Sequence, residues 1–446
     1  MRLYAGTCFV RLLALAAAMV SFAPAGFAFV QPEEVSAAGA TRRDGLASRS
    51  GLTGNWGGAR DALARYGLRV DVDITYTFQG IAGGGFAGPL FERFSDENEN
   101  GNTFSGNLEL ALDTAKAGLW RGGFFEARLE GRAGRSVLQR AGTVSAVDND
   151  ALFPNVVDRF DDEALALTKL TFTQYVGEKV ALFGGLLDTA EGDENELAGS
   201  ALSNAHFLDS AMLYSLVEDA TVPNVSLGGG VLLEPTEGVS ASFSVFGTKE
   251  TAGKDPFEHT TGTTFATEGT FAHTLRERPG AQTFGFLYGI DASRTAIAAD
   301  PRLVIASILS GRPVPATTDD TWAVYYNAHQ YLRGDGEGGY GIFIRFGVSD
   351  GNPNPVKWNV AGGLGGKGLL PRRERDTWGL GAFYLGMSDE DLLKGLDVGD
   401  EVGAELFYNL AVTPWLHVTS DVQLIDPALP RADTVWVLGM RAHLNL

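Results

Sequence analysis

Between Arg69 and Gln79 every second residue is apolar. Val70, Val72, Ile74, Tyr76 and Phe78 lie on one side, and Arg69, Asp71, Asp73, Thr75, Thr77 and Gln79 on the other. A period of two is the pitch of a pleated strand, whose side chains alternate between faces. The split recurs in Asn107 to Asp113, where Leu108, Leu110 and Leu112 oppose Asn107, Glu109 and Asp113. It recurs through Val239 to Val245, Phe284 to Ile290, Trp322 to Ala328, Tyr340 to Val348, Val402 to Val412 and Leu416 to Leu424. The last stripe, Trp436 to Leu446, runs to the final residue. About fifteen such segments can be marked; single-chain bacterial barrels carry an even strand number, so about 16 are expected.

Alternation alone fits a soluble sandwich or a membrane barrel. Trp322, Trp378, Trp415 and Trp436 stand at or near strand ends, as interfacial girdles require. The opposite faces are heavily charged, and no linker divides the roughly 400 residues as sandwich domains would. The 58 glycines, 27 phenylalanines and 7 tryptophans coexist with a mean hydropathy of −0.01. No apolar run past the N-terminal region reaches the ~18 residues of a spanning helix. Tight junctions such as Thr413-Pro414 contrast with long Gly-, Asp- and Asn-rich gaps at 80–103, 143–162, 188–223 and 249–281. The expectation is an all-β fold: a transmembrane antiparallel β-barrel of about 16 strands with a short N-terminal helix.

The N-terminus reads as an export signal. Arg2 and Arg11 precede the apolar run Leu12 to Val20, and small residues follow at Ala23-Pro24-Ala25 and Gly26-Phe27-Ala28. The expected organisation is a signal peptide over 1–28 cleaved after Ala25 or Ala28, and a flexible leader over 29–50. A periplasmic helical segment over 51–67 and a barrel over 68–446 follow. Cleavage removes Cys8, the only cysteine, which excludes disulfides and thiolate chemistry. It also removes two positive charges, so the formal net charge passes from −20 to −22 (−20 − 2). Such an acidic chain is a poor partner for nucleic acid.

Motifs for catalysis fail in detail. Gly83-Gly84-Gly85-Phe86-Ala87-Gly88 matches a dinucleotide fingerprint, but no helix follows. Gly334 to Gly339 reads as a hairpin turn. Gly362-Gly363-Leu364-Gly365-Gly366-Lys367 resembles a phosphate loop, yet Ala361 stands at the first glycine and Gly368 at the magnesium-binding hydroxyl. Asp96, Asn98, Asn100 and Gly101 open like a calcium loop, but Asn107 replaces the bidentate glutamate. Neither metal nor cofactor is expected. The six histidines carry no hydrolase motif, and His329, His417 and His443 fall on polar strand faces.

The most suggestive local pattern is the ladder Glu126, Arg128, Glu130, Arg132 on one strand face, with Arg345 on another. In a constriction, arginines donate to sugar hydroxyls and carboxylates accept from them. The pattern reads equally well as ordinary salt bridging along a lumen wall.

Three ordered stretches resemble the carbohydrate-selective porins of the OprB family. The first is Leu52 to Arg60, containing Trp56, Gly57, Gly58 and Arg60. The second runs from Gly362 through Lys367, Gly368 and Arg372 to Asp376. The third comprises Glu405 and Tyr408, then Trp415, Gln423 and Pro427, and finally Gly439 and Arg441. The resemblance extends over about 51–446. Leu446 stands where such barrels usually end in Phe, and Asp426 where Asn is commoner. The resemblance implies a 16-stranded, non-enzymatic porin of the outer membrane for passive diffusion of monosaccharides such as glucose, without a cofactor. Its partners would be sugars, membrane lipid and lipopolysaccharide, with monomer and homo-oligomer both open. A general or ion-selective porin on the same barrel is the alternative, and a barrel-embedded hydrolase a more distant one.

Overall fold

The computed structural model describes residues 45–86, 99–152, 164–254, 257, 262–291, 294–295, 317–334 and 338–446. The expected signal peptide, most of the leader, and Asp96 and Asn98 of the calcium-like loop lie outside these residues. Sixteen antiparallel strands form a closed barrel. In chain order they are β1 (Leu68–Phe86), β2 (Asn100–Asp113), β3 (Gly123–Arg135), β4 (Ala164–Tyr175), β5 (Val180–Asp188) and β6 (Val225–Thr236). Next come β7 (Val239–Gly247), β8 (Thr263–Leu275), β9 (Arg278–Ile290), β10 (Thr321–Gly334) and β11 (Gly339–Ser349). β12 (Val356–Lys367), β13 (Thr377–Met387), β14 (Glu401–Thr413), β15 (Leu416–Asp426) and β16 (Ala432–Asn445) complete the wall. Closure joins β1 to β16, from Asp73 opposite Asn445 to Phe86 opposite Ala432. Every strand therefore has two neighbours, and no row of backbone donors and acceptors is left for the lipid phase.

The alternation resolves into outside and inside. On β11, Ile342, Ile344 and Phe346 are about half exposed, whereas Phe343 and Arg345 between them are buried. Outward side chains meet lipid; inward ones meet the lumen or whatever fills it. One rim carries the turns 114–122, 176–179, 237–238, 276–277, 368–376 and 414–415. The opposite rim carries the long connections, among them 136–163 and 189–224.

The gap expected over 249–281 is not a single loop. It contains β8 and the start of β9. Its outward face, with Phe265, Thr267, Gly269 and Phe271, has too few large apolar residues to stand out by periodicity. Trp415 stands directly before β15, at a strand end as expected. Its indole N–H donates to the Leu46 carbonyl at 2.7 Å and so pins the N-terminal segment to the β14–β15 turn.

The helix preceding the barrel is α1 (Ala59–Arg65). Its N-cap is Gly58, and the Asn55 side chain from the preceding turn accepts from the Asp61 N–H at 3.1 Å. Arg60 lies 4.3 Å over the Trp56 ring and donates to the carbonyl of Leu446 at 2.5 Å. Trp56 and Arg60 thus tie the segment before β1 to Leu446, at the barrel seam.

Two glycine groups weighed as nucleotide motifs have structural uses. Gly84 has φ +83°, and a Cβ there would meet the Thr434 carbonyl at 1.8 Å. The register of β1 against β16 shifts at this point, so the run is a bulge at the rim. Gly365 faces inward on β12, where a Cβ would lie 2.5 Å from the Leu197 carbonyl. The glycine-rich face of β12 is the space into which the 189–224 segment settles.

That segment fills one side of the barrel. Leu197, Phe207, Met212, Leu216 and Val217 join a buried cluster with inward Phe343, Phe383 and Phe407. Phe207 meets Phe407 edge-on at 4.7 Å and Phe343 at 5.5 Å. The short helix Ser210–Leu213 is buried throughout. The lumen is therefore narrowed by the packed segment, while Glu109 and Glu126 on β2 and β3 keep solvent exposure.

Candidate functional site: the lumen wall and its chamber

The ladder expected from sequence stands on β3, facing inward. Its centre is Arg128. The guanidinium donates to Glu109 of β2 at 2.8 Å, to Asp188 at the end of β5 at 2.7 Å and to Glu191 beyond it at 3.0 Å. Lys169 of β4 reaches Glu191 at 2.8 Å and Glu126 at 3.1 Å. Glu130 accepts from Thr168 and Arg132, and Arg132 also faces Asp150 at 3.5 Å. Burial grades along the ladder. The Glu126 and Glu109 side chains are each 37% exposed, Arg128 11%, Glu130 1% and Arg132 4%. Glu126, Glu109 and the edge of Arg128 are the members of this network that keep solvent exposure. Burial alone would raise the Glu191 carboxyl, but Lys169 and Arg128 outweigh it and hold the group below the usual carboxylate range.

The other anticipated lumen residues hold the inward segments in place. Arg345 is fully buried; it pairs with Asp193 at 2.5 Å and donates to the carbonyls of Asp193 and Gly199. It therefore stands behind the 189–224 segment rather than at open lumen. Glu405 accepts from the backbone N–H groups of Leu208 and Asp209 at 2.6 and 3.0 Å. Glu401, four residues earlier on the same strand face, does the same for Val144 and Ser145 at 2.7 and 2.8 Å. Gln423 donates to the Val147 carbonyl and Arg441 to that of His206. Asp376 fixes the 368–376 turn, accepting from Arg373, Tyr408 and the Ala411 N–H. Gly368 and Arg372 supply left-handed backbone to that turn, and Arg372 is exposed.

A second inward feature was not signalled by strand periodicity. A chamber of about 400 Å³ lies between the 194–206 segment and the wall of β8, β9 and β10. The backbone from Asp193 to Leu197 is anchored at alternate residues. Asp193 is held by Arg345, and Asn195 donates to Asn327 at 2.6 Å and to the Ala328 carbonyl at 3.1 Å. The intervening Glu194 and Glu196 are left exposed on the chamber side. Glu196 accepts from the Tyr331 hydroxyl at 2.7 Å and lies 3.4 Å from His329. Glu268 of β8 accepts from Tyr325 at 2.6 Å, and Lys367 closes the lining from the end of β12. His206 is largely buried in the lining. Burial, then Arg441 and Lys367, push its imidazole down to about 4, so it is neutral near pH 7. Among the described residues no cluster of metal-ligating side chains occurs.

Comparisons with known proteins agree with this architecture. Residues 102–446 match the family model described as carbohydrate-selective porin, OprB family. A high-pH structure of Pseudomonas putida OprB superposes with a TM-score of 0.75 at 20% identity, covering 90% of this chain and 100% of that one. A low-pH structure of the same protein gives 0.57 at 19% identity, covering 90% and 99%. No curated protein matches by sequence.

Proposed function

Since the chain belongs to the OprB family of carbohydrate-selective porins, we propose that it conducts monosaccharides such as glucose passively across the outer membrane. The observation that carries this reading is the mixed-charge wall centred on Arg128. It offers carboxylate acceptors and a guanidinium edge to a solute confined on one side of a narrowed barrel. Sugar hydroxyls donate and accept, so such a wall exchanges hydration for direct hydrogen bonds during passage. The solute gradient supplies the driving force. Family and fold are those of non-enzymatic channels.

Within this reading, Glu126 and Arg128 touch the sugar, and Glu130 and Arg132 hold the wall beneath the inward segments. Residues 1–28 are the cleaved export signal, 29–50 the leader and 51–67 the periplasmic helical segment. The rim with short turns then faces the periplasm and the long connections face outward, toward lipopolysaccharide. The lipid-facing belt is compatible with a monomer or a homo-oligomer.

Swelling of liposomes carrying the purified barrel tests the function. Glucose should enter faster than amino acids of equal size. Equal rates would mark a general porin instead.

A further inference from the structure

We infer that the chamber beside β8, β9 and β10 is a specificity-determining sugar subsite, in which Glu194 and Glu196 favour neutral and aminated monosaccharides and exclude uronic acids. The inference rests on the sugar-porin reading and adds a substrate class to it. Three observations carry it.

The first is size. About 400 Å³ falls within the ~300–1,000 Å³ span of small-molecule sites.

The second is preorganisation. Alternate anchoring of Asp193 and Asn195 fixes the backbone on both sides of Glu194, and Asn327 also donates to the Glu194 carbonyl at 2.7 Å. Glu196 is oriented by Tyr331 and His329 yet keeps 40% of its side chain exposed. Two carboxylates are thus presented at fixed positions without having their acceptor capacity used up. Lys367, in the same lining, can only donate. Neighbouring hydroxyls of one sugar ring can donate to the carboxylates and accept from the ammonium. His206 lines the same space with a buried Nδ1 that has no hydrogen-bond partner among the described residues.

The third is charge. Glu194, Glu196 and Glu268 face the chamber against Lys367, with His329 beside Glu196. The Asp193–Arg345 pair behind them is neutral in sum. A neutral sugar is tolerated in this field and a protonated amino sugar attracted. A sugar carboxylate meets the exposed carboxylates of Glu194 and Glu196 in a partly desolvated space.

The test uses the full-length barrel in liposomes, with glucose, glucosamine and glucuronate as probes and amino acids of equal size as reference. Wild type should pass glucuronate about 10-fold more slowly than glucose. Glu194→Gln with Glu196→Gln should bring that ratio most of the way toward one and reduce the preference for glucosamine. Lys367→Gln should move the ratio the opposite way. Heat-modifiable gel mobility shows that each variant has closed its barrel. An unchanged glucuronate-to-glucose ratio in the double variant, with sugar preference over amino acids intact, overturns the chamber assignment alone. Absence of any sugar preference in wild type overturns both this assignment and the sugar-porin reading.

Discussion

The two sides of this barrel are built from the same alternating strands and do opposite things with their inward faces. Along β2 to β5 the inward residues include Glu109, Glu126, Arg128, Glu130, Lys169 and Asp188, joined in one ion-pair network of which Glu109 and Glu126 keep solvent exposure. Along β11 to β15 they include Phe343, Phe383, Phe407 and Ile425, buried beneath the 189–224 segment. The outward faces are alike. The difference shows that a barrel lumen need not be polar all round: one side can serve as the core of an ordinary globular interface. In the proposed function, that interface sets the bore and the charged side meets the cargo. Arg345 and Arg128 mark the contrast. Both are inward arginines with carboxylate partners, but Arg345 is sealed behind Asp193 and Arg128 keeps an edge toward solvent.

The largest effect should come from breaking the packed side. Arg345→Ala leaves the buried Asp193 carboxylate without its cation, a loss of about 3–5 kcal/mol. Thermal unfolding should shift downward, and single-channel conductance should rise and become noisy as the inward segment loosens. An unaltered conductance would mean that the segment does not set the bore. Phe407→Ala empties a site packed on Phe207 and should cost about 3–5 kcal/mol at most, with the same sign on conductance. Outside the wall, Ile344→Lys puts a charge on the lipid face and should cost about 2–4 kcal/mol if it lies near the midplane, with no change in sugar selectivity. Folding assays in bilayers against denaturant measure this. The smallest effect is on pH. His206 titrates at about 4 in the fold, below the usual value of 6.5, so unfolding takes up a proton between these limits. The stability it confers is complete above pH 6.5 and declines as pH falls toward about 4. His206→Gln should flatten that part of the stability profile, and an identical profile would remove His206 as its source.

Much of this wall is legible in the sequence. Tyr340, Ile342, Ile344, Phe346 and Val348 announce β11 because lipid demands a large apolar residue at every outward position. β8 is harder to read, since threonine and glycine on its outward face blur the period. The ladder on β3 is visible because Glu126 to Arg132 alternate within one strand, and the lumen positions of Glu401 and Glu405 follow from the same parity. What those carboxylates grip is not visible. Their partners are backbone N–H groups of 144–145 and 208–209, in segments with no periodicity of their own. The partners of Arg128 at Asp188 and Glu191, and the chamber at Glu194 and Glu196, depend on how the 189–224 segment turns back into the barrel. No local pattern encodes that path. It is set by contacts such as Phe207 on Phe407 and Leu197 over Gly365, between residues far apart in the chain.

Block of single-channel current by glucose tests the central claim most directly, namely that cargo passes along the charged side. In wild type the block should saturate with glucose concentration, and Arg128→Ala should raise the half-blocking concentration about 10-fold, equivalent to roughly 1.4 kcal/mol of lost hydrogen bonding to a charged group. A block that never saturates, or a half-blocking concentration that Arg128→Ala leaves where it was, would contradict the account.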